Sequence, residues 1–351
     1  MPCSLYLSPK IELTFVSNSK FRLRFLLVAL TLTFVGVSSW FLWITQMPLR
    51  SYAGAPPQLN NEEMELRDRL LAEATYLSVN MGDRSLLRPQ SLRATTDYLS
   101  SCLRGEGYTV VEHPYSVLGQ TVINIEATLA GTDSALGQVI LGAHYDSVAG
   151  TVGANDNGTG VAAVLEIARA MRQMRFKRTV RFVFFVNEEP PYFQTASMGS
   201  RVYAHQLRQD GVPVSAMLSL ETIGFYSDEP GSQDYPPVLS LFYPSKGNFI
   251  AFVGNTDSGG LVRESVRDFR EFTRFPSEGI AAPSHWLGIG WSDQWSFWQE
   301  GYPGIMVTDT ALFRYHDYHT PSDTVDKVNF DRAARVVEGV GKVAERLANK
   351  P

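Results

Sequence analysis

Cysteine is nearly absent: Cys3 and Cys102 are the only two among 351 residues. A disulfide scaffold is excluded, and one bridge between them would have to cross whatever residues 25–44 form. Charge is sparse as well, with 19% Asp, Glu, Lys and Arg together and a net of −5. No basic footprint exists for a phosphate backbone, so no nucleic-acid partner is expected. Internal repeats and low-complexity tracts are also lacking. What remains is a chain with 44% hydrophobic residues, too apolar to be disordered and long enough for one large domain or two small ones.

The few charges are unevenly placed. In the first fifty residues Lys10, Lys20, Arg22, Arg24 and Arg50 face only Glu12, so the remainder carries the whole acidic excess. From Phe25 to Ile44 nothing is charged (FLLVALTLTFVGVSSWFLWI). A helix of that length rises about 30 Å, the thickness of a bilayer core. Arg22 and Arg24 precede the run, and Trp40 and Trp43 lie near its far end, as interfacial aromatics do. This pattern predicts a single-pass membrane protein. Residues 1–24 form a basic cytoplasmic head, 25–45 a transmembrane anchor and 46–61 a linker, with 62–351 outside the cytoplasm. The rival is a secreted protein cleaved near Ala53-Gly54-Ala55, although signal cores span only about 7–15 residues.

Apolar residues recur at helical spacing over 62–79, 91–105, 158–174, 198–209 and 329–349. Strand-like runs cover 108–111, 122–127, 138–143, 179–186, 214–220 and 304–308. Strands alternating with helices predict an α/β domain, a mostly parallel mixed sheet flanked by helices on both faces. Residues 225–290, rich in Pro, Gly, Ser and aromatics, break the rhythm and read as an elaborated segment near the site.

His144, Asp146, Glu188, Glu189 and Glu221 all fall just after apolar strands, and sites in open α/β sheets sit at the carboxyl ends of strands. Asp156 lies in the loop Gly153-Ala154-Asn155-Asp156-Asn157-Gly158, and His319 in Tyr318-His319-Thr320-Pro321-Ser322-Asp323. Singly, each has an ordinary explanation as surface, turn or strand-end residue. Jointly they bring two histidines and several carboxylates to one rim, a donor set that suits Zn²⁺, with Mn²⁺ or Co²⁺ as substitutes. Two other patterns are set aside. Gly158-Thr159-Gly160-Val161-Ala162-Ala163 mimics a dinucleotide fingerprint but follows an acidic loop. Asp257-Ser258-Gly259-Gly260 lacks a matching histidine context.

The segments GAHYDSV, GANDNGTGVAAVLEIAR, VRFVFFVNEE, LSLETIG, WSDQWSFW and YHTPSDT occur in that order. They resemble the co-catalytic zinc aminopeptidase family, metallopeptidase family 28, which also holds glutaminyl cyclases and non-catalytic ectodomains. The resemblance implies a zinc exopeptidase fold of phosphorylase/hydrolase type, peptide substrates and two zinc ions per chain. It implies His144 and Glu221 on one zinc, Glu189 and His319 on the other, and Asp156 bridging both. Glu188 then corresponds to the general base and Tyr318 to an oxyanion donor. Asp146 would orient His144, and Asp323 would support the closing motif. Two positions depart from the pattern: Glu221 stands where most members have Asp, and Gln294 where many have His.

Two zinc ions about 3.5–4 Å apart activate a water held between them. Successive residues on a strand point oppositely, so one ligand and one base at 188 and 189 require that the strand has already ended. Trp286, Trp291, Trp295, Phe297 and Trp298 are expected to line an apolar side-chain pocket. A one-zinc glutaminyl-cyclase-like acyltransferase and a non-catalytic ectodomain are the alternatives. Retention of every expected ligand together with Glu188 argues against both.

Overall fold

The computed structural model describes residues 19–351, with side chains from residue 22. Cys3 and most of the expected basic head lie outside the described residues. The chain divides into two units, Met1–Trp43 and Ile44–Pro351. Helix α1 (Ser19–Thr45) carries the apolar run. Its segment Arg22–Thr45 contains an 18-residue window with a mean hydropathy of 2.1 and no buried residue, and it is the one described helix long and apolar enough to cross a membrane.

The second unit opens with α2 (Asn61–Thr75), started by a capping box. The Asn60 side chain accepts from Glu63 N at 2.9 Å, and the Glu63 carboxylate accepts from Asn60 N at 2.7 Å. Helix α3 (Pro89–Gly105) has proline in its first turn, where the missing N–H costs nothing. A hairpin follows, β1 (Val110–Val117) and β2 (Gln120–Leu129), turned by Leu118 and Gly119 with φ of 50° and 78°. Then come β3 (Gln138–His144), α4 (Gly160–Met171), β4 (Val180–Phe185), α5 (Gly199–Gln209) and β5 (Val214–Glu221). Next are β6 (Ile250–Asn255), α6 (Gly259–Phe272) and β7 (Ser277–Ala282), then α7 (Gln294–Trp298), β8 (Gly304–Thr308) and α8 (Phe330–Asn349).

The strands form one 8-stranded sheet in the order β1-β2-β4-β3-β5-β8-β6-β7. The run β4-β3-β5-β8 is parallel, as is β6-β7, while β1-β2, β2-β4 and β8-β6 are antiparallel. Alternation along the strands feeds two cores. Val139, Leu141, Ala143, Phe182 and Phe184 pack with α4 and α8 residues on one face. Ile140, Val183, Phe185 and Met217 pack with Tyr203, Leu207 and Phe297 from α5 and α7 on the other. Central strands are therefore covered on both faces and read as unbroken apolar runs.

Two expectations change. The segment 225–290 contains β6, α6 and β7, which extend the sheet itself. Residues 46–61 are not a free linker along their whole length. Met47 packs against the core. Arg270 donates to the carbonyls of Pro48 (3.0 Å) and Leu49 (3.1 Å), Ser277 N donates to Ser51 Oγ (2.9 Å), and Arg335 donates to the Pro57 carbonyl.

Candidate active site

Strands β3 and β5 end in His144 and Glu221, neighbours in a parallel ladder, so both side chains leave the sheet at its carboxyl edge. Strand β4 ends at Phe185, and Asn187 takes φ of 59°. That left-handed residue breaks the strand alternation, which lets both Glu188 and Glu189 approach the centre. Thr222 (φ 45°) and His319 (φ 59°) are left-handed too. Such conformations are uncommon outside glycine, and they concentrate where side chains are aimed.

Asp156 is placed by its loop. Gly153 has φ of 52°, and a Cβ there would lie 2.3 Å from the Asp156 carbonyl. The amides of Asn155 and Asp156 donate to the two oxygens of Asp323 at 2.8 and 2.9 Å, and Tyr315 donates to the same carboxylate at 2.9 Å. Asn157 Oδ1 accepts from Thr222 N at 3.1 Å and Gly160 N at 3.2 Å, while its Nδ2 donates to the Leu220 carbonyl at 2.8 Å. A Cβ on Gly160 would meet both Asn157 and the Leu220 carbonyl within 2.4 Å. Gly160 thus lets the loop close onto β5, while at Gly158 a Cβ would lie 2.9 Å from the Gly153 carbonyl within the loop.

The side chains converge on two points. His144 Nε2 lies 3.1 Å from Glu221 Oε2 and 3.4 Å from Asp156 Oδ1. His319 Nε2 lies 3.0 Å from Asp156 Oδ2 and 3.1 Å from Glu189 Oε2. Two triads result, His144–Asp156–Glu221 and Asp156–Glu189–His319, and Asp156 offers one oxygen to each. Glu188 belongs to neither; its Oε2 is 3.9 Å from His144 Nε2. Both histidine Nε2 atoms and Glu189 Oε1 are buried without a well-formed hydrogen bond. Donor atoms that crowd one point without bonding each other are what metal ligation requires.

Electrostatics point the same way. Burial, Glu221 and Glu189 push the Glu188 carboxyl well above its usual range, and burial with Asp156 pushes Glu189 up to about 8. Burial also disfavours charge on Asp156, but His144 and His319 outweigh it and hold its carboxyl low. Burial opposes protonation of His144 and His319 too; neighbouring carboxylates win, raising His144 well above its usual value and His319 to about 10. The cluster holds more carboxylate than its imidazoles can balance, and divalent cations would supply the missing charge.

Asp146 sits behind the cluster. Its carboxylate accepts from the amides of Glu188 (3.2 Å) and Glu189 (3.3 Å), and its Oδ1 is 3.6 Å from His144 Nδ1. The nearer contact to that nitrogen is the Asp146 carbonyl, at 3.2 Å. Tyr318 stacks on His319 with ring centroids 3.8 Å apart, and burial drives its phenol well above the usual value, so it stays a donor.

Sequence reading missed three participants. Ser292 donates to Glu221 Oε2 at 2.7 Å. Asp293 is fully buried with neither oxygen hydrogen-bonded, and burial pushes its carboxyl up to about 7. Both lie in the segment WSDQWSFW. Arg84, fully buried, donates to the carbonyls of Leu77, Gly82, Tyr145, Val152 and Gly153 at 2.6–3.1 Å, tying the Asp156 loop to β3. A lone arginine gives no such signal in sequence. Gln294 is buried and donates to the Ile289 carbonyl at 3.1 Å.

Beside Glu221 opens a cavity of about 110 Å³, lined by Tyr235, Tyr243, Phe249, Trp291, Phe313 and Tyr318 among others. Of the five aromatics expected there, only Trp291 lines it. Phe297 is core between sheet and α5, and Trp298 Nε1 donates to the Gly304 carbonyl at 2.9 Å.

The fold and this carboxylate–imidazole cluster are of the kind the metallopeptidase class carries. Residues 124–344 match the model of peptidase family M28, and the chain belongs to that family. It is 35% identical over 307 residues to Uncharacterized protein YfbL of Escherichia coli (strain K12), covering 85% of this chain and 90% of that protein. It is 29% identical over 239 residues to Leucine aminopeptidase 1 of Ajellomyces capsulatus (strain H88), covering 63% of this chain but 53% of that protein. The chain thus spans about half the length of that aminopeptidase. Among solved structures, the zinc aminopeptidase BSAP of Bacillus subtilis matches with a TM-score of 0.64 at 15% identity, over 81% of this chain and 96% of that one. A glutaminyl cyclase of Porphyromonas gingivalis matches with a TM-score of 0.60 at 21% identity, over 80% and 98%. At these identities the likeness is one of fold.

Proposed function

We propose that this chain is an aminopeptidase that holds two zinc ions, uses Glu188 as general base and removes N-terminal residues from peptides. The observation that carries the reading is the pair of triads sharing Asp156, with Glu188 beside them and in neither. His144, Asp156 and Glu221 would hold one ion, and Asp156, Glu189 and His319 the other. When bound, zinc supplies Lewis acidity and a water of lowered pKa. Glu188 would take a proton from such a water and pass it to the leaving amine. Tyr318, protonated, donates to the developing oxyanion. Asp146 and Asp323 hold the backbone that carries Glu188, Glu189 and Asp156.

A panel of amino-acid anilides and N-terminal glutaminyl peptides, with zinc content measured on the same sample, tests this reading. The expected result is about two zinc ions per chain and anilide hydrolysis that a chelator abolishes and zinc restores. One zinc with cyclisation of glutaminyl peptides would replace it with the acyltransferase reading, and no zinc with no turnover would make the chain a binding ectodomain.

We further propose that α1 anchors the protein with its N-terminus in the cytoplasm and residues 46–351 outside. The support is the uncharged run behind Arg22 and Arg24. A reporter active only outside the cytoplasm, fused after Pro351, is expected to work. Activity of only a cytoplasm-dependent reporter, or a soluble mature protein starting near residue 51, would sink the topology.

A further inference from the structure

The cavity beside the metal ligands has a second acidic end. Strand register sets Glu221 opposite Thr308, Thr308 opposite Ala251, and Ala251 opposite Glu278. Residues directly opposite share a sheet face, and all four line this cavity. Three strand spacings of about 4.8 Å put the backbones of Glu221 and Glu278 roughly 14 Å apart across its floor. The wall between them is apolar, with Val253, Ile280, Ile289, Trp291 and Met306, and no lining residue is basic. The Glu278 side chain keeps 21% of its surface exposed.

Glu278 also has a neighbour of opposite charge: Arg270 Nη2 lies 3.6 Å from its Oε2. The hydrogen bonds of that guanidinium go elsewhere, to Ser277 Oγ and to the carbonyls of Ser277, Pro48 and Leu49. The ion pair and a hydrogen bond from Ser51 hold the carboxylate in place without using its full hydrogen-bonding capacity, since a carboxylate accepts about four bonds.

We propose that Glu278 is a specificity-determining residue that selects peptides whose first side chain has a long apolar stem and a cationic tip, lysine or arginine. The inference rests on the aminopeptidase reading, because the substrate's first residue must then lie beside the metal ligands. An extended lysine side chain spans five bonds, about 6 Å from Cα to Nζ. Glutamate reaches roughly 4 Å the other way, and a charge-assisted hydrogen bond adds about 3 Å. Together these cover most of the floor. The methylenes lie along apolar wall while the ammonium meets the acid, the division long cationic side chains adopt. Leucine fills the near part of the cavity and leaves Glu278 without a substrate partner.

The test compares lysine, arginine, leucine and norleucine anilides on the full-length, zinc-loaded protein in detergent, for wild type and Glu278→Gln. Wild type is expected to cleave the lysine and arginine substrates at least as well as norleucine. In Glu278→Gln, kcat/KM for the two basic substrates should fall by about tenfold or more, mainly through KM, while leucine and norleucine move by less than about threefold. Free L-lysine should inhibit leucine-anilide turnover more strongly than L-norleucine in wild type, and the difference should vanish in the variant. Glu278→Asp, which keeps the charge, should retain part of the preference. A ratio of basic to apolar kcat/KM unmoved by Glu278→Gln overturns the proposal, as does an equal loss on all substrates, which marks a structural role. Turnover of none of the four by wild type overturns the aminopeptidase reading and this inference with it.

Discussion

A Glu188→Gln protein is expected to retain its full zinc content and lose at least about 10²–10⁴ in turnover. Its carboxylate stands outside both triads, so on the proposed reading replacing it would remove proton transfer without removing a ligand. The amide cannot take the water's proton or return it to the amine. Substrate affinity should change little, since the cavity beside Glu221 is untouched. Glu189→Ala differs in kind: Oε2 of Glu189, 3.1 Å from His319 Nε2, is a vertex of the second triad. That variant should lose one zinc and regain part of its rate in excess metal, which Glu188→Gln cannot do. Metal analysis and single-turnover rates on both proteins decide the matter. If Glu188→Gln loses zinc while Glu189→Ala keeps two, the roles are exchanged.

Asp156→Ala is expected to empty both sites at once and abolish turnover, because its two oxygens belong to different triads. No other residue is shared, so no other single ligand change should cost both ions. The domain should still unfold cooperatively, since the loop keeps its backbone bonds to Asp323 and its anchor at Asn157. Asp323→Asn makes the contrast. It loosens the support behind Asp156 and should weaken zinc by roughly 10–100-fold without removing a donor. Elemental analysis showing full zinc in Asp156→Ala would overturn the bridging assignment.

Much of this was legible in the sequence, for local reasons. Buried strands such as 138–143 and 179–186 are unbroken apolar runs, and their polar ends mark one edge of a sheet. His144 and Glu221 needed nothing more. The pairing of Glu188 with Glu189 depended on where β4 stops, and the left-handed Asn187 that frees both side chains has no signature beyond being asparagine. Strands β6 and β7 were missed because Ile250–Asn255 ends in Gly-Asn and Ser277–Ala282 holds a single β-branched residue, within a stretch whose prolines and glycines read as loop. Helix α6 did carry helical spacing at Leu261, Val262, Val266 and Phe269, but opens on two glycines. Losing that unit misplaced the pocket. Its aromatic walls at Tyr235, Tyr243 and Phe249 depend on β6 running antiparallel to β8, a tertiary fact.

The bonds from Asn155 and Asp156 to Asp323 join positions 168 and 167 residues apart in the chain. Synthesis runs from the N-terminus, so His144, Asp156, Glu188, Glu189 and Glu221 are all made before the residue that fixes their shared ligand. His319 arrives equally late. A chain grown only as far as Glu221 therefore carries the acidic residues without the assembled cluster, which residues 319 and 323 complete.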